Sequence, residues 1–199
     1  MQLPASAAIG PRPADVERWL ADLGIEPTER ADREGIVAWD LVLDGRRRFD
    51  LRVTLILDSS LGLICWAHYA PPINDLFRRS YRKLLRWNDD FPFVKFAVGE
   101  DERPVLFAEL PPRGLDEDTL GLALARLLDV SDRLLDESAG WLWLGGRRPA
   151  GYGQRASRHA PLLDRFADRL PEPEPALEPV APAEPAEPVA PVEPGERGE

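Results

Sequence analysis

Two hydrophobic periods alternate along the first 144 residues. Val37, Trp39, Leu41 and Leu43 point one way while Ala38, Asp40 and Val42 point the other, which predicts a strand. Asp44-Gly45 reads as a hairpin turn. Beyond it Phe49, Leu51, Val53, Leu55 and Leu57 alternate with Arg48, Asp50, Arg52, Thr54 and Ile56, the cleanest period-two run in the chain. Asp58-Ser59-Ser60 turns the chain again, and Leu61 to Ala70 reads as a third strand. A second pair of strands is predicted at Val94–Val98 and Val105–Leu110, joined by the acidic turn Gly99 to Pro104.

Helical spacing occupies three stretches. Val16, Trp19, Leu20 and Leu23 mark a first helix from Pro13 to Gly24, and residues 25–34 then read as a polar connection. From Ile73 to Asn88, a buried stripe is predicted from Ile73, Leu76, Phe77, Tyr81, Leu84 and Leu85, with Trp87 outside it. Pro71 and Pro72 precede this helix, Asn74 or Asp75 suits its first turn, and Phe91-Pro92 closes it. Leu115 to Glu137 is the third, with Asp116 as N-cap, Leu115 and Leu120 as a hydrophobic staple, and Ser138-Ala139-Gly140 as its stop. Trp141 to Leu144 is a short apolar run read as a last strand or as cover for the core, and Pro161 to Leu170 as a short closing helix. A three-stranded meander, a helix, a hairpin and a long helix make an α+β fold: an antiparallel sheet with helices packed on one face.

Composition divides the chain. Pro171 to Glu199 holds nine prolines and eight glutamates and no aromatic residue, so it is predicted to be a disordered, extended tail. With eight glutamates against one arginine the tail carries −7 of the chain's −10, leaving −3 on residues 1–170. The predicted organisation is a flexible lead-in over 1–12, a folded domain over 13–144, a basic glycine-rich loop with a short helix over 145–170, and the acidic tail. The single cysteine, Cys65, allows neither an intramolecular disulfide nor a cysteine-based zinc cage. The N-terminus has neither a basic n-region nor an apolar run, and no stretch has the apolar length of a membrane span, so the expected location is the cytoplasm.

A family resemblance rests on three segments: YAPPINDLFRRSYRKLLRWNDDFPFVKFAV, ERPVLFAELP and LDEDTLGLALARLLDVSDRLLD. Together with the element order, they resemble the bacterial YbjN-type domain, whose fold is similar to that of type III secretion chaperones. In that family an asparagine near the end of the middle helix precedes a strand of x-x-V-K-F type; here these residues are Asn88, Val94, Lys95 and Phe96. The resemblance spans roughly residues 13–144 and implies a chaperone-like fold and a regulatory, binding role rather than a reaction.

Candidate chemistry is sparse. Cys65 and His68 are three apart in a strand, which puts them on opposite faces and away from a shared metal. Asp89-Asp90 and Glu100-Asp101-Glu102 are ordinary solvated turn formers, and His159 lies in a basic loop without a nearby carboxylate in sequence. Gly145-Gly146 lacks the spacing and the Gly-Lys-Ser/Thr ending of a phosphate loop. No cofactor, metal or catalytic residue is expected.

The positive signals are surfaces. Arg78, Arg79, Arg82, Lys83 and Arg86 gather on one side of the middle helix and suit an acidic protein partner; the acidic tail competes for the same cations and disfavours nucleic acid. The tail is also expected to fold back onto this face, or onto Arg147, Arg148, Arg155 and Arg158. Trp66 and His68 share the strand face opposite Cys65, so the sheet is apolar on both faces, which favours a homodimer. The leading expectation is a non-enzymatic protein-binding module, a regulator or chaperone-like adaptor. The second is a small-ligand sensor or enzyme with a pocket at Trp66, His68, Tyr69 and Trp87.

Overall fold

Six antiparallel strands form one sheet in the order β1-β2-β3-β4-β6-β5. They are β1 (Glu29–Arg33), β2 (Ile36–Leu43), β3 (Leu51–Asp58), β4 (Gly62–His68), β5 (Lys95–Val98) and β6 (Pro104–Leu110). The computed structural model describes residues 10–58, 60–72, 78–142 and 155–171, so the predicted tail beyond Pro171, residues 145–154 of the predicted basic loop and residues 1–9 lie outside the description. Trp39 pairs with Leu55, Leu55 with Cys65, and Cys65 with Ala108, so the period-two residues of four strands line up on one buried face.

The helices close that face. They are α1 (Pro13–Asp22), α2 (Arg78–Asp90), α3 (Glu117–Leu142) and α4 (Ala160–Arg165), the last followed by a 3₁₀ turn at Ala167–Arg169. Val16 and Leu20 of α1, Leu84 and Trp87 of α2, and Leu120, Leu124, Leu127 and Leu128 of α3 join the sheet residues in one core. The α3 start is capped as its sequence predicts: Asp116 Oδ1 accepts the Thr119 N–H at 2.8 Å and Thr119 Oγ1 accepts the Asp116 N–H at 2.9 Å.

Four local readings need correction. Residues 25–34 contain a strand: β1 pairs along its length with β2 although all five of its residues are exposed. Asp44-Gly45 does not make a tight turn; Leu43 pairs with Leu51, leaving a loop from 44 to 50, and β3 starts at Leu51. In α2 the stripe is rotated, with Trp87 buried and Leu85 67% exposed, because Trp87 packs on Phe96 at 5.4 Å between ring centroids. Ser138-Ala139-Gly140 does not stop α3, which runs to Leu142. Ser138 is buried, and its hydroxyl donates to the Leu134 carbonyl at 2.6 Å and meets Tyr69 Oη at 3.1 Å, so the polar residue is satisfied inside the helix. That leaves Trp141 and Leu142 helical, while Trp143 and Leu144 lie outside the described residues.

The closing helix is part of the same core. Leu162, Leu163 and Phe166 are buried against α3. A Cβ on Gly121 would stand 2.7 Å from the Phe166 ring, so glycine at that helical position is what admits the aromatic side chain.

Candidate functional site

All described helices lie on one side of the sheet, and no described helix covers the other. Its register brings together Ala38, Ile56 and Ile64 across β2, β3 and β4, then Trp66 beside Phe107 and His68 beside Val105 across β4 and β6. Trp66 and Phe107 stack with centroids 6.2 Å apart at 27°. These side chains are half-buried, Val105 excepted, which is fully buried. Asp40, Arg52, Glu109 and Lys95 are exposed around them. The middle of this face is thus mainly apolar, with Thr54 beside Trp66, and its margin is charged.

Cys65 sits on the inner face and His68 on the outer one, as the strand period predicts. Burial pushes the Cys65 thiol up to about 12. Tyr69 and Trp87 are also inside, each packed on Phe96, at 5.1 and 5.4 Å between centroids. The sheet therefore separates Tyr69 and Trp87 from Trp66 and His68, and the four do not line one pocket. Tyr69 is further enclosed by the guanidinium of Arg48, 4.5 Å above its ring, which also donates to the Tyr69 carbonyl. Its phenol is pushed up to about 12 by burial.

The cationic side of α2 faces solvent. Arg82, Lys83 and Arg86 are exposed; Lys83 reaches Glu137 of α3 at 3.3 Å, while Arg82 and Arg86 make no ion pair among the described residues. Arg78 and Arg79 begin the helix, and their side chains lie outside the description, as does the predicted cap at Asn74 or Asp75.

Sequence reasoning missed a buried polar cluster at the 44–50 loop. Asp132 of α3 takes three successive backbone N–H groups of that loop, from Arg46 at 2.6 Å, Arg47 at 3.0 Å and Arg48 at 2.7 Å. Burial raises the Asp132 carboxyl despite these donors. Asp44, fully buried, receives Arg158 Nε at 2.6 Å, Arg155 at 2.9 Å and the Asp50 N–H at 3.0 Å. Burial opposes its ionisation, and the donors from Arg158, Asp50 and Arg155 outweigh it, holding the carboxyl below the usual carboxylate range. His159 completes the cluster, its Nδ1 accepting the Asp44 N–H at 2.9 Å. Arg155 and Arg158, expected to attract the tail, are thus engaged with Asp44 and Asp50.

A second feature missed from sequence is a cleft of about 320 Å³ between the segment after α2 and Leu170-Pro171, the last of the described residues. Phe93 is 69% exposed and holds φ 69°, a left-handed backbone that a bulky side chain rarely adopts. The Arg126 guanidinium lies 4.2 Å over its ring. A smaller hollow of about 170 Å³ shares Phe93 and Arg126 and continues toward Leu110. One signal was readable: Arg126 is the only cation between Leu120 and Leu128 of an otherwise apolar helix.

Among the described residues, no group of three or more His, Cys, Asp or Glu side chains is arranged to hold a metal ion, and no helix is long and apolar enough to cross a membrane. The sequence model of YbjN, a family described as candidate bacterial sensory transduction regulators, matches residues 12–139. The chain belongs to the YbjN family. No curated protein matches it. The YbjN match takes in the whole sheet, α1, α2 and most of α3, and with them the Asn88 and Lys95-Phe96 positions that carried the resemblance. It stops before residues 155–171, so the segment that seals Asp44 and supplies Phe166 is an addition to the YbjN part of this chain.

Proposed function

We propose that this YbjN-family chain is a non-enzymatic regulatory module, a chaperone-like adaptor of the bacterial cytoplasm that acts by binding another protein through the open sheet face. The observation that carries this reading is the apolar strip Ile56, Ile64, Trp66 and Phe107, uncovered by any described element and rimmed by charge. Trp66 is its anchor, since a half-buried tryptophan beside a second aromatic ring offers large apolar area at low entropy cost. His68 borders the strip on the same strand face. The cations of α2, from Arg78 to Arg86, would steer an acidic partner and act on its association rate more than on the lifetime of the complex.

The test is affinity capture from native lysate with the full chain and two variants, followed by titration of the purified partner. Trp66→Lys should abolish retention, and Arg82→Glu/Arg86→Glu should slow association at low salt while leaving dissociation unchanged. A retained protein indifferent to Trp66→Lys would remove the sheet face from consideration. Light scattering on the same samples identifies a second copy as the occupant if the wild type is a dimer and Trp66→Lys a monomer.

A further inference from the structure

A second surface feature is the cleft at Phe93. Its floor is Val94 and Val130, both buried, and its walls carry Phe93 on one side and Leu170-Pro171 on the other. Arg126 spans the gap from α3. It is partly buried, and burial together with the nearby Arg169 lowers its pKa. Among the described residues no carboxylate pairs with it. The carboxylates around the cleft are elsewhere engaged or turned to water: Asp129 holds Arg133 at 2.7 Å, Asp118 holds Arg169 at 2.5 Å, and Asp168 is exposed. An exposed aromatic ring on strained backbone, stacked by a cation that lacks an anion, is a seat for proline rings interleaved with carboxylates. Polyproline segments dock on aromatic-lined grooves because their extended conformation is already formed.

We propose that the occupant is the chain's own tail, beginning with Glu172-Pro173-Glu174-Pro175 and continuing through Ala176-Leu177-Glu178-Pro179. The described chain ends at Pro171, which is itself a wall of the cleft and whose carbonyl accepts from Arg133. At about 3.1 Å per residue, eight residues in polyproline conformation reach about 25 Å; Pro171 and Phe93 line the same cleft, and Phe93 also lines the smaller hollow. The alternating glutamates supply the anion that Arg126 lacks. Tethering raises the effective concentration to roughly the millimolar range, so contacts too weak to hold a free peptide suffice in cis. The cleft is a proline-recognition site occupied by its own sequence, and a competing proline-rich acidic segment from another protein has to displace it.

The experiment is amide heteronuclear NOE measurement on the full chain. In the wild type, Glu174, Ala176 and Leu177 should be ordered like the domain while Glu196 and Gly198 stay mobile. Arg126→Glu should drop the former to the level of the latter, and Phe93→Ala should act in the same direction. The tail variant Glu172→Lys/Glu174→Lys leaves every domain residue in place and should release the segment equally, so misfolding of a cleft variant does not decide the matter. Wild-type amides at 174–177 as mobile as Gly198 would overturn the proposal. So would order that vanishes on dilution, which assigns the cleft to the tail of a second copy.

Discussion

The side chain of Asn88 and the backbone of Phe96 hydrogen-bond in both directions. Asn88 Nδ2 donates to the Phe96 carbonyl at 3.0 Å, and the Phe96 N–H donates to Asn88 Oδ1 at 2.5 Å. The amide thus imitates a strand partner, extending the ladder of β5 to the last turn of α2. Lys95 adds a bond from its ammonium to the Asn88 carbonyl at 2.5 Å. Asn88→Ala leaves two backbone groups without partners and should cost about 1–3 kcal/mol. Asn88→Asp, which keeps the acceptor and loses the donor, should cost less. A lower urea midpoint at unchanged slope is the readout.

Gly45 has no room for a side chain. A Cβ there would stand 2.4 Å from Asp132 Oδ1, inside the carboxylate that organises the loop. Gly45→Ala should destabilise the fold by about 1–3 kcal/mol, and Asp132→Ala by a similar amount through its three stranded N–H groups. Because both changes break one arrangement, the double variant should lose clearly less than the sum of the two, measured as a coupling energy in denaturant unfolding.

His159 sets a pH dependence. Its ring is held neutral because burial and the neighbouring Arg158 lower its pKa, against a weaker opposite pull from Asp44. Ser157, whose hydroxyl bonds the His159 N–H, is the other polar neighbour. The unfolded chain therefore binds the additional proton first: stability from this group is complete above about pH 6.5 and declines as pH falls below it. His159→Asn, which keeps an acceptor and removes the titration, should flatten that decline in thermal melts recorded across the acidic range.

Phe166 tests whether the segment beyond the YbjN match is structural. It is 1% exposed and fills the space opened by Gly121. Phe166→Ala should cost about 3–5 kcal/mol, as for other buried aromatic deletions. A change below 1 kcal/mol in chemical denaturation would mean that residues 155–171 dock only loosely.

The sheet was readable wherever one face is buried. The alternation from Leu51 to Leu57 appears as a strand with the inward side it predicts. β1 was not readable, because Glu29-Arg30-Ala31-Asp32-Arg33 buries nothing and has no hydrophobic period; only its pairing with β2 makes it a strand. The 44–50 loop was misread because its shape is dictated by Asp132, Arg155 and Arg158, more than 80 residues away along the chain. The phase of α2 was misjudged for a related reason: Leu85 and Trp87 are equally apolar, and Phe96 selects between them. The cationic cluster of α2 was visible as composition. The Phe93 cleft was not, since its two principal residues lie 33 positions apart and meet only in the fold.

The two edges of the sheet are poor templates for strand addition. One edge is β1, four of whose five residues are charged, all five exposed, and which Arg30 ties to Glu17 and Asp32. The other is β5, four residues long and headed by Lys95. A foreign strand adding to either border meets charge or runs out of ladder, so growth by strand addition is blocked in both directions. Any protein that recognises this sheet is thereby confined to approaching it broadside.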